Sequence, residues 1–75
     1  MPQSTTTKAI SITLNGDPYS LDGDARVAAL LDRLNLRTTR VAVEINGHIV
    51  PRSDYAQAAI EAGDSVEIIN FVGGG

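Results

Sequence analysis

Ala25-Arg26-Val27-Ala28-Ala29-Leu30-Leu31-Asp32-Arg33-Leu34 is the one long stretch of this chain with a helical period, and its reading decides the fold. Val27, Leu30, Leu31 and Leu34 fall at i, i+3, i+4 and i+7, so they form one apolar stripe and leave Arg26, Asp32 and Arg33 to face water. Asp24 stands where a side-chain oxygen can accept from the free N–H groups of a first helical turn. Asn35 tolerates the left-handed conformation that stops a helix. The pattern predicts a helix from about Ala25 to Leu34.

Upstream, Ala9-Ile10-Ser11-Ile12-Thr13-Leu14 alternates, which puts Ile10, Ile12 and Leu14 on one face of a strand. Asn15-Gly16 suits a tight type I′ turn, and a shorter strand from Pro18 to Leu21 returns antiparallel, with Pro18 near its start. Downstream, Val41, Val43 and Ile45 alternate with Ala42 and Glu44, Asn46-Gly47 makes a second hairpin turn, and Ile49-Val50 returns. Pro51 ends that strand, and Ser53-Asp54-Tyr55 reads as a turn opening a brief helical segment toward Ala59. Ala62-Gly63-Asp64 turns the chain into a last strand, Ser65 to Phe71, in which Val66 and Ile68 point inward.

One helix lies inside a run of strands, which predicts an α+β domain: a single mixed sheet packed on one main helix. A strand on either side of the helix favours a right-handed crossover, which lets the first and last strands lie parallel at the sheet centre, the β-grasp arrangement, although the sequence alone leaves the strand order open. Its expected core joins Val27, Leu30, Leu31 and Leu34 to Ile10, Ile12, Val43, Ile45, Val66 and Ile68. The expected division is a flexible tail over residues 1–7, the domain over 8–72 and a glycine tail over 73–75.

With 75 residues, 43 % hydrophobic and 20 % charged, the chain is globular and fits one thin-cored domain, with little room for an enclosed catalytic cleft. Nine acidic residues against six basic ones, with Lys8 and five arginines scattered, argue against nucleic acid as a partner. There is no cysteine, hence no disulfide, no thiol nucleophile and no protein persulfide. No apolar run approaches a membrane span, and the polar start Met1-Pro2-Gln3-Ser4-Thr5-Thr6-Thr7 lacks the features of a secretory signal, so the expected location is the cytoplasm and no membrane partner is expected. His48 lacks companions for a metal site or a triad and is read as loop surface. No metal site and no catalytic residue is assigned.

The chemistry concentrates in Gly73-Gly74-Gly75, directly after Ile69-Asn70-Phe71-Val72. Glycine has no Cβ, so such a tail can lie extended in a narrow channel and bring a terminal carboxylate close to a nucleotide phosphate. A frayed glycine end is the bland alternative. Within the last strand, period 2 puts Ile69 and Phe71 on the face opposite Val66 and Ile68. Two readings stand for them: with Val72, an exposed apolar patch beside the tail that binds a partner, or a β-bulge or second small core under the Tyr55 loop. Tyr19 and Tyr55 are read as closing the rim of the core, and Arg52 and Asp54 as a solvated loop.

Val41-Ala42-Val43-Glu44-Ile45-Asn46-Gly47, Ile49-Val50-Pro51-Arg52-Ser53, Gly63-Asp64-Ser65-Val66-Glu67-Ile68 and Phe71-Val72-Gly73-Gly74-Gly75 together resemble the ThiS family of ubiquitin-like sulfur carriers, over about residues 8–75. The resemblance implies a β-grasp fold and a place in thiamin synthesis. An E1-like enzyme would adenylate Gly75 with MgATP, a sulfur donor protein would convert it to a thiocarboxylate, and thiazole synthase would receive the sulfur. Gly74 would be the second residue of the diglycine tail, which Gly73 extends. The chain itself would bind no cofactor and would be a substrate of its partners, not an enzyme. Three other functions share these features: a carrier for another pathway such as molybdopterin synthesis, a ubiquitin-like modifier of lysines, and a plain interaction module.

Overall fold

A computed structural model of the chain describes residues 9–71. The expectations for residues 1–7 and for Val72, Gly73, Gly74 and Gly75 lie outside the described residues.

Strands β1 (Ile10–Leu14) and β2 (Asp17–Leu21) pair antiparallel through Asn15-Gly16, and β3 (Val41–Ile45) and β4 (His48–Val50) pair through Asn46-Gly47. The φ angles are 50° and 86° in the first turn and 53° and 83° in the second. Positive values at both central residues are what a type I′ turn requires. Leu14↔Asp17 closes the first hairpin, so Thr13↔Pro18 is the next, non-hydrogen-bonded pair. Pro18 therefore costs the ladder no bond in an edge strand.

The last strand, β5 (Ser65–Asn70), runs parallel to β1 and antiparallel to β3, giving the order β2-β1-β5-β3-β4. First and last strands lie side by side at the centre, as the β-grasp reading predicts. The strand ends one residue short of the predicted Phe71, whose N–H still donates to the Arg40 carbonyl at 2.7 Å.

The helix α1 (Val27–Arg33) is shorter at both ends than the sequence pattern suggests. Asp24 does not cap it: its carboxylate accepts from the Arg26 N–H at 3.1 Å, one residue before the helix begins. Backbone carbonyls do the capping instead, since the Val27 and Ala28 N–H groups donate to Ala58 and Tyr55 at 3.0 and 2.9 Å. These bonds satisfy first-turn donors that would otherwise be orphaned. At the other end Asn35, with φ of 59°, makes the predicted left-handed stop. Its N–H donates to Asp32 and the Leu36 N–H to Leu31, the paired bonds of a Schellman motif.

The brief helical segment expected toward Ala59 is only a 3₁₀ turn, Arg52–Asp54, followed by a turn. Its continuation is held elsewhere: Ala59 bridges to Arg26, and the Ile60 N–H donates to the Ala25 carbonyl at 2.7 Å. The same loop that caps the helix is thus strapped to the segment before it.

Val27, Leu30 and Leu31 are buried against Ile12, Val43, Val66 and Ile68, while Leu34, Ile10 and Ile45 pack around them partly exposed. Leu21, Val41, Ile60 and Tyr55 also enter the core. Tyr55 was expected at the rim and is instead 4 % exposed, with its hydroxyl donating to the Val41 carbonyl at 3.3 Å. Tyr19 does sit at the edge, partly buried.

Candidate functional site

Strand β5 leads toward Val72-Gly73-Gly74-Gly75, so whatever holds β5 sets the root from which that tail departs. On one side it pairs with β3 through five consecutive residue pairs, from Val41↔Asn70 to Ile45↔Val66. On the other side β1 reaches only Ser65 and Val66 before turning away at Asn15. The Asn15 side chain continues where the strand stops: its Oδ1 accepts from the Ile68 N–H at 2.8 Å and its Nδ2 donates to the Ile68 carbonyl at 3.3 Å. A side-chain amide thus acts as one further rung of the ladder.

Asn46 does the same service at the start of β5. Its Oδ1 accepts from the Ser65 N–H at 2.9 Å and its Nδ2 donates to Asp64 at 2.9 Å, while the other Asp64 oxygen accepts from the Glu61 N–H at 2.8 Å. Both turn asparagines therefore have two roles, a backbone one that the sequence signals and a clamping one that it does not. The sequence reading missed the second because it depends on which strand lies beside each turn.

The sheet face opposite α1 carries no covering element among the described residues. Ile69 and Phe71 are 51 % and 56 % exposed there, and Ile49 is 72 % exposed. The unbroken β3–β5 register excludes a bulge, and Tyr55 belongs to the main core, so neither bland reading of Ile69 and Phe71 holds. Ile49 was not singled out in the sequence, although the two-residue turn at Asn46-Gly47 already fixes it opposite Glu44.

Glu44 stands between two neighbours on this face, Ile49 on β4 and Glu67 on β5. Like charges directly opposite each other across strands destabilise a sheet. The cost here is on the order of 1 kcal/mol or less in water. Neither carboxylate forms an ion pair among the described residues, where the pairs are Arg26–Asp24 and Arg33–Asp22, both at 3.8 Å and both at the surface. Arg52, Asp54 and His48 are exposed, with no ion pair among the described residues. Among the described residues, no group of three His, Cys, Asp or Glu side chains is placed to hold a metal ion, and no helix is long and apolar enough to cross a membrane.

The chain matches the model of the ThiS family over residues 12–75. A thiazole synthase of Paramagnetospirillum magneticum is 42 % identical over 66 residues, which are 88 % of this chain and 20 % of that protein. This chain therefore spans about a fifth of the length of that relative. The sulfur carrier protein ThiS of Escherichia coli is 30 % identical over 66 residues, covering 88 % of this chain and all of that one. The crystal structure of the thiamine biosynthesis protein ThiS from Geobacter metallireducens superposes with a TM-score of 0.73 at 35 % identity, over 88 % of this chain and 100 % of that one.

Proposed function

The chain belongs to the ThiS family of sulfur carriers in thiamine biosynthesis, small carrier proteins and not enzymes, and from that premise we propose that Gly75 is its working residue. A carboxylate does not react with sulfur nucleophiles until one oxygen becomes a good leaving group. Adenylation supplies that group and releases pyrophosphate, and a sulfide-level sulfur nucleophile delivered by a donor protein then displaces AMP, leaving a thiocarboxylate on Gly75. Charge building on the phosphates during adenylation needs magnesium or fixed cations. The E1-like partner holds the MgATP, and no cofactor is assigned to this chain.

The observation that supports this reading is the construction of β5. It is held at Ser65, Val66 and Ile68, the Phe71 N–H just beyond it donates to the Arg40 carbonyl, and it ends beside an uncovered apolar face at the root of a short glycine tail. The four residues after Phe71 span at most about 14 Å when extended. A partner must therefore dock against this end of the domain to bring Gly75 to its active site. Ile69, Phe71 and Val72 are the partner-binding residues in this reading, and thiazole synthase the final acceptor. Relatives of this chain occur within longer thiazole synthases, in keeping with that assignment. The cytoplasm is the compartment proposed for the cycle.

ATP–pyrophosphate exchange with the activating enzyme tests the role of the tail. One residue added after Gly75 moves the carboxylate by up to ~3.6 Å, and a misplacement of ~1 Å can cost about a hundredfold in rate. Gly74→Val places a β-branched side chain in the channel. Both proteins should remain folded and lose exchange; undiminished exchange by both would mean that the carboxyl end is not the working end.

A further inference from the structure

We propose that Asn46 is a modification site, where the folded protein ages by intramolecular deamidation and from which that change loosens the start of β5, while the matching Asn15 is protected by its own contacts. The inference stands apart from the carrier reading, because it concerns a side-chain amide and needs no partner.

The chemistry is local. In an Asn-Gly pair the glycine backbone nitrogen attacks the asparagine Cγ, the new C–N bond closes a succinimide ring, and the side-chain nitrogen leaves as ammonia. Water then opens the ring at either carbonyl to give aspartate or isoaspartate. The net change is one water consumed and one ammonia released, with no oxidation or reduction. Glycine favours the attack because it carries no side chain to crowd the nitrogen. Asn35 and Asn70 precede Leu36 and Phe71, whereas Asn15 and Asn46 precede glycine. Among the described residues neither the Gly16 nor the Gly47 N–H takes part in the turn and loop hydrogen bonds, and a Cβ at either glycine would meet nothing within 4 Å. Both nitrogens are therefore open, and what separates the two sites is the hold on each asparagine amide.

The Asn15 amide bonds the N–H and the carbonyl of Ile68, in the interior of β5 and partly buried. Turning it toward Gly16 leaves both groups without a partner in a place that water reaches poorly, which is costly. The Asn46 amide instead holds the Ser65 N–H, at the first residue of β5, and the Asp64 carboxylate, and both of these bonds are exposed. Water replaces either partner when the amide turns away. Exposed strand ends open more often than sheet interiors, so Asn46 reaches the geometry of attack more often than Asn15.

The product matters to β5. Aspartate at position 46 still accepts from the Ser65 N–H, but it sets a carboxylate oxygen where Nδ2 donates to Asp64 at 2.9 Å. A hydrogen bond becomes a contact between like charges, and Asp64 is the residue whose other oxygen ties in the Glu61 N–H. Isoaspartate also lengthens the backbone of a two-residue turn whose φ angles of 53° and 83° fit type I′.

Peptide mapping by mass spectrometry tests the site on the full chain, incubated folded at mildly alkaline pH, where the glycine nitrogen loses its proton more readily. Asn46 should convert at least about fivefold faster than Asn15, and the two should convert at similar rates in denaturant, where the contacts are gone. Asn46→Asp stands for the product and should lower the thermal midpoint and speed amide exchange at Ser65. Adding Asp64→Asn to that variant should restore both, because an amide at position 64 donates to the new carboxylate while its oxygen still accepts from Glu61. Conversion of Asn15 as fast as Asn46 in the folded protein, the same bias toward Asn46 in denaturant, or a double variant no more stable than Asn46→Asp alone would overturn the proposal.

Discussion

Replacing Asn15 with glycine separates the two roles that this residue combines. Its φ of 50° suits glycine without strain, so the type I′ turn should survive. What disappears is the clamp on Ile68, one bond of 2.8 Å and a weaker one of 3.3 Å. At a net ~0.5–1.5 kcal/mol per bond, the loss is about 1–3 kcal/mol. The greater freedom of glycine in the unfolded chain adds roughly 0.5–1 kcal/mol. For a domain of this size each kcal/mol lowers the thermal midpoint by about 4–8 °C, so a drop of at least ~6 °C is expected. Asn15→Asp keeps the acceptor and loses the donor, and should fall between glycine and wild type. Calorimetry gives the midpoints, and amide hydrogen exchange should show faster opening at Ile68. An Asn15→Gly midpoint equal to wild type, with unchanged exchange at Ile68, would refute the idea that this amide extends the ladder.

Two further outcomes follow from the packing. Leu31→Ala empties a fully buried position on the helix stripe and should cost about 2–5 kcal/mol, read as a lower urea midpoint; a near-wild-type midpoint would show that the stripe is not the main core contact. Phe71→Ala removes a side chain that is 56 % exposed, so stability should change little while binding to the activating enzyme weakens by about 1 kcal/mol or more. Equal affinity by titration, with the variant shown to be folded, would remove Phe71 from the docking surface.

Local chemistry made much of this fold legible. Asn15-Gly16 and Asn46-Gly47 announce their turns because few other pairs accept two positive φ angles, and the stripe Val27, Leu30, Leu31 announces its buried face. Misreadings came where a distant segment decides. Asp24 had a suitable side chain for a cap, but the helix found its acceptors in the Ala58 and Tyr55 carbonyls, which no local pattern reveals. Tyr55 and Ile60 join the core because their loop is strapped to Ala25 and Arg26. For the candidate site, the outward register of Ile69 and Phe71 was readable from period 2, whereas the opposition of Glu44 and Glu67 needed the antiparallel pairing of β3 with β5. That pairing joins strands about twenty residues apart in sequence, and register of this kind is set by tertiary packing.

The central claim, that Gly75 carries sulfur as a thiocarboxylate, is tested most directly by the intact mass of the protein isolated from its native cell during thiamin synthesis, with fragmentation to locate any change. The account predicts a fraction of molecules heavier by the difference between one sulfur and one oxygen atom, with that difference on the last residue. A single unmodified mass in cells actively making thiamin, or a modification elsewhere in the chain, would contradict it.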